Sequence, residues 1–127
     1  MRPALWPRIE KTSKGAAMLK ISGINVDEGL ERFMGNESMF RRFLKKFPSD
    51  KNFGELKAAV AADDVDGAIR ASHTLKGVCG NLSMTVLFGL LSDQIALMRG
   101  GKWDEAKALM PDIEENYDAV VGEIAKI

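Results

Sequence analysis

The chain has 127 residues, 46% hydrophobic and 28% charged, which suits one globular domain with a core that needs no staples. Lys plus Arg and Asp plus Glu both number 18, so there is no basic surplus to neutralise a nucleic-acid backbone. A single cysteine excludes an internal disulfide and a multi-thiolate zinc site, and no run approaches the roughly 18 apolar residues of a membrane span. With no apolar run of a secretory signal among the first residues, the expectation is a cytoplasmic monomer without nucleic-acid or membrane partners.

Residues 1–17 read as a flexible tail or linker. Pro3 and Pro7 oppose helix there, and Thr12-Ser13-Lys14-Gly15 has linker composition, although Trp6 is large enough to dock. Residues 18–127 are assigned to a single helical domain. Asn25-Val26-Asp27 can cap a short helix carrying Leu30 and Phe33, which Gly35 ends. Asn36 caps a second helix in which Met39, Phe40, Phe43, Leu44 and Phe47 recur at three- and four-residue spacing. Pro48 interrupts or kinks it, and Phe53, Leu56, Val60 and Ala61 continue the stripe. Asp63-Asp64 marks a turn into a helix over Val65 to Leu82. Ser83 is placed as the cap of the next helix, with Leu87, Leu90, Leu91, Ile95 and Met98 inward and Gly100-Gly101 at its end. The last helix carries Trp103, Ala106, Met110, Ile113, Tyr117, Val120 and Ile124, and Pro111 bends or splits it. No segment alternates with period two, so strands are not indicated. Amphipathic helices joined by short turns predict an all-α fold, an antiparallel up-down four-helix bundle with a short extra N-terminal helix.

The chemistry lies on the Val65 helix. At about 100° per residue, Ala68, Ala71, Leu75, Val78, Cys79 and Leu82 share an arc of roughly 100°, with Ser72 at its edge. His73, the only histidine, lies opposite that arc and so points outward. Ile69 and Arg70 lie one turn before it; Lys76, Gly77 and Gly80 follow at i+3, i+4 and i+7. Each glycine costs about 0.8–1.0 kcal/mol relative to alanine inside a helix, so two on one exposed face need a reason other than core packing. Bare backbone beside an imidazole lets a phosphoryl group or a partner surface come close. Lys76 adds a mobile point charge one turn from a residue type that serves as a covalent nucleophile. Taken singly, each feature is more often bland: a surface histidine is commonly incidental, a lysine solvated, a helix glycine a packing site.

The run Ala71-Ser72-His73-Thr74-Leu75-Lys76-Gly77-Val78-Cys79-Gly80-Asn81-Leu82 resembles the signature of histidine-containing phosphotransfer (HPt) domains, in which His-x-Leu-Lys-Gly is followed by small residues and Gly-Asn. Gly23-Ile24-Asn25-Val26-Asp27-Glu28-Gly29-Leu30 is similar to the family's opening helix, and Ala61-Ala62-Asp63-Asp64 to the turn before its active helix. The likeness runs from about Ile24 to Leu97. It implies a four-helix bundle whose exposed histidine exchanges phosphoryl groups with an aspartate on the receiver domain of a response regulator or hybrid sensor kinase.

By the same resemblance, His73 matches the phospho-acceptor, Lys76 the phosphate neighbour and Gly77 the position of steric access. Gly80 matches a family glycine of structural and steric value. Some members hold the imidazole with a polar group on the next helix; Gln94 is the nearest candidate, with Ile95 at the counted position. Cys79 and Ser83 stand where Ala and Gly are usual. Partner docking is expected around Ile69, Arg70 and Gly80, with Met84 and Phe40 as weaker candidates. No cofactor is expected on this chain, and Mg²⁺ is expected on the receiver. The chain has neither the Gly-rich loop nor the lysine motif of a P-loop, so it is expected to carry phosphate without kinase activity of its own. The rivals are a non-catalytic module that binds receivers or kinases, an HPt domain excised from a hybrid kinase and, more remotely, a haem or metal bundle.

Overall fold

The computed structural model describes residues 24–127 and, within the N-terminal segment, the backbone of two short strands, β1 (Glu10–Lys11) and β2 (Ser13–Gly15). These two pair antiparallel with an irregular register. They are too short to show the alternation that announces a strand in a sequence. The rest of the segment assigned to the tail, Trp6 included, lies outside the described residues.

The remaining elements are helices. α1 is Val26–Arg32, α2 Glu37–Lys46, α3 Asn52–Ala61, α4 Val65–Asn81, α5 Thr85–Arg99, α6 Trp103–Ala108 and α7 Met110–Ile124. The caps expected at Asn25 and Asn36 are in place, and Asp64, read from the sequence only as part of a turn, caps α4: the three side chains accept a hydrogen bond from a backbone N–H of the first turn at 3.1, 3.0 and 3.0 Å. Pro48 lies in a 3₁₀ turn, Phe47–Ser49, between α2 and α3, and Pro111 sits in the first turn of α7. Both prolines therefore divide helices, where the missing N–H does least damage.

The helix ends differ from expectation in one respect. α1, α3, α4 and α5 all close with paired 6→1 and 5→2 backbone bonds, for example Gly35 N–H to Leu30 O at 2.7 Å and Met34 N–H to Glu31 O at 3.0 Å. After α5 the left-handed residue is Gly101, with φ of 77°; after α1 it is Met34 followed by Gly35, with φ of 55° and 77°, and after α3 and α4 it is Asp63 and Ser83, with φ of 54° and 55°. Ser83 thus closes α4 rather than capping α5, whose N-cap is Met84 without a side-chain bond. The Ser83 hydroxyl instead donates to Glu28 Oε1 at 2.8 Å, and Asn25 N–H donates to Ser83 O at 2.8 Å. These bonds fasten α1 across the α4–α5 turn.

α2–α3, α4, α5 and α6–α7 form the four rods of an antiparallel bundle, with α1 laid against α2. Phe40, Leu44, Leu56, Leu75, Leu87, Leu91, Ile113 and Val120 are fully buried in a single core. Phe53 stacks on Tyr117 at 3.9 Å and Lys57 pairs with Glu114 at 2.9 Å, which closes the ring of rods between α3 and α7. A Cβ at Gly29 would run into the Phe40 ring, so only glycine lets α1 approach α2 this closely. Among the described residues no helix is long and apolar enough to cross a membrane.

Candidate functional site

α4 presents its two faces as its periodicity requires. Ala68, Ala71, Ser72, Leu75 and Cys79 are buried, Val78 is half-buried against the core, and His73 is exposed. Ser72, expected at the edge of the core arc, is fully buried. His73 makes no hydrogen bond among the described residues, so both ring nitrogens stay open to a reacting group. Gly77, one turn on, is exposed, and a Cβ built there would meet nothing within 4 Å. The protein's own packing does not demand that glycine; the space beside the imidazole is simply left empty.

Gly80 is different. A Cβ there would lie 3.1 and 3.3 Å from Cε1 and Cδ1 of Phe88 on α5. Its small size seats that ring against α4, a packing role. Lys76 is half-buried, and its ammonium sits 5.3 Å from the centroid of the same ring. Neither Lys76 nor Arg70 forms an ion pair with a carboxylate among the described residues, so both positive charges face solvent unneutralised. Arg70 and Thr74 border a shallow groove between α3 and α4, floored by Ala58, Ala59 and Ala71.

Several expected site residues lie elsewhere. Gln94 is fully buried: Oε1 accepts from the Ser72 hydroxyl at 3.2 Å, and Nε2 donates to Ala106 O at 3.2 Å and Met110 Sδ at 3.1 Å. Its amide is spent joining α4, α5 and α6–α7, and none of it reaches His73. The reason is its place on the core stripe of α5 beside Leu91 and Ile95, where a polar group must be satisfied internally. Ile95, at the alternative position, is also buried and apolar. Met84 and Phe40 have no exposed surface and are unavailable for docking, whereas Ile69 is half-buried against the core. Phe88, not singled out from the sequence, is 38% exposed beside Lys76 and Gly80. The available signal was an aromatic residue next to, but off, the α5 core stripe.

A family model described as the Hpt domain matches residues 39–123, the bundle from α2 through most of α7. The chain belongs to the Hpt domain family. No match was found among curated proteins or among solved structures. Hpt domains take part in phosphotransfer in two-component signalling, where they meet receiver and kinase domains. In this Hpt domain, the surface carrying His73 combines an exposed imidazole, a cation without a carboxylate partner among the described residues and a missing side chain on one face of one helix. α5 contributes the adjoining aromatic.

Proposed function

We propose that this Hpt domain is a phosphocarrier, with His73 accepting a phosphoryl group from, and returning it to, an aspartate of a receiver domain. The observation that carries the reading is the exposed, unbonded imidazole beside Lys76 and the open space at Gly77. The receiver's aspartyl phosphate docks over α4, and a neutral imidazole nitrogen attacks phosphorus in line. The N–P bond forms as the bond from phosphorus to the aspartyl oxygen breaks, the carboxylate leaves, and the imidazole then loses its remaining ring proton to solvent. Positioning and charge stabilisation carry such a step. Lys76 answers the phosphoryl charge as a point charge on a flexible stem, which steadies the group without the grip of a bidentate clamp. Mg²⁺ is assigned to the receiver. Ile69, Arg70 and Gly80 border the docking face.

Incubation with phosphorylated receivers should label the native protein and not His73→Ala. Equal labelling of both would sink the assignment. Receiver binding that is unchanged in His73→Ala, with no labelling of the native chain, would return the protein to the class of non-catalytic modules.

A further inference from the structure

Phe88 is an exposed aromatic on a helix that buries Leu87, Leu91, Ile95 and Met98 in the core and leaves Val86 exposed near it in the chain. Its ring lies against α4 at Gly80 and under the Lys76 ammonium, 5.3 Å from the centroid and within the range of cation–π attraction. We infer that Phe88 is the positioning residue for Lys76: its ring face holds the ammonium on the His73 side of the bundle while a phosphoryl group is transferred there.

The choice of an aromatic partner has a physical consequence. A carboxylate at this place would cancel the lysine charge and repel an incoming phosphoryl group. A ring is uncharged, so Lys76 keeps its full field toward His73 while its long stem is restrained. The ammonium has three N–H donors, so it can bond phosphoryl oxygens while it stays over the ring, and the contact is kept as phosphate is transferred. Gly80 belongs to the same device, because a Cβ there would press on the ring edge at 3.1 Å. This inference rests on the phosphocarrier reading for the purpose of Lys76, but the contact itself is observable without it.

The experiment uses the whole chain and phosphoramidate, a donor that needs no receiver. Proton NMR of wild type should show the Lys76 ε-methylene shifted upfield by the ring, a shift kept in Phe88→Tyr and lost in Phe88→Leu. Labelling of His73 by phosphoramidate should slow by about two- to fivefold in Phe88→Leu, the rate equivalent of an exposed cation–π contact. Phe88→Tyr should restore it. In a Lys76→Met background, Phe88→Leu should have no further effect. An equal Phe88→Leu effect in both backgrounds would overturn the inference, since Phe88 would then act without Lys76. So would an absent ring-current shift, or wild-type labelling rates in Phe88→Leu. If no receiver labels the native protein while the Lys76-dependent effect of Phe88 persists, the phosphorelay reading fails and the positioning role stands.

Discussion

At the scale of single residues, the glycines on the His73 face separate into two kinds. Gly80 is small because Phe88 occupies the space where its side chain would be. Gly77 is small although nothing occupies that space. Replacing it with alanine should therefore stabilise the fold, by about 0.8–1.0 kcal/mol of helix propensity. The same methyl group would stand between the imidazole and an approaching receiver. Gly77→Ala is expected to unfold at higher denaturant concentration and to accept phosphate from a receiver more slowly. A variant that is more stable and equally fast would mean that Gly77 gives no access. The sequence places both glycines beside His73; the distinction between them depends on α5, which the helical wheel of α4 does not contain.

At the scale of elements, the turn between α3 and α4 is tied to the last rod. Asp63, in the left-handed conformation, accepts hydrogen bonds from Trp103 Nε1 and Lys107 Nζ, each at 2.9 Å. The Trp103 bond, followed by the bond and charge of Lys107, holds the Asp63 carboxyl below its ordinary value. A carboxyl whose folded value is lowered adds stability above its unfolded value and loses it as pH falls through the folded one. The same pair raises Lys107, first through the bond to Asp63 and then through its charge, so the alkaline limb belongs to one interaction and is not counted twice. Asp63→Asn should be less stable than wild type at neutral pH, and the gap should close well below the ordinary carboxylate range. Urea titrations of both proteins across that range measure it; a gap independent of pH would show that the carboxylate charge contributes nothing. Asparagine is the apt replacement because it tolerates the left-handed backbone and still offers an acceptor.

At the scale of the molecule, one core unites all four rods, and Cys79 reports on it. Cys79 is fully buried on α4, and burial, followed by the charge of Asp50, pushes its thiol from 9.0 up to about 12. The thiolate is the reactive form, so the native thiol should resist disulfide reagents at neutral pH and react when the bundle opens in urea. Native protein that reacts as fast as urea-unfolded protein would mean that α4 leaves the core locally. The linkage has a definite sign. An unfolded chain ionises this thiol from its ordinary value while the folded one holds its proton, so between 9.0 and about 12 rising pH favours unfolding.

By itself, the sequence determined what a periodic pattern and a local cap can encode: the helices, the side-chain caps at Asn25 and Asn36, the turn at Asp63-Asp64, the two proline breaks, and the outward placement of His73 opposite its core arc. These depend on neighbours within about one helical turn, where the chain's own geometry dictates which side chains share a face. Ser83 shows where that reach ends. It has the composition of a helix cap, but its conformation is set by the closing bonds of α4 and its hydroxyl by Glu28, 55 residues earlier. Gln94 is the same lesson at the site. Counting along the chain brings it near the histidine helix, and only the packing of three rods around it decided that its amide faces inward to Ser72, Ala106 and Met110. The tertiary structure likewise supplied Phe88, because a ring on α5 meets a lysine on α4 only once the two helices are laid side by side. Which group accompanies an exposed nucleophile is a property of rods in contact, and a one-dimensional pattern holds the faces but not the pairing.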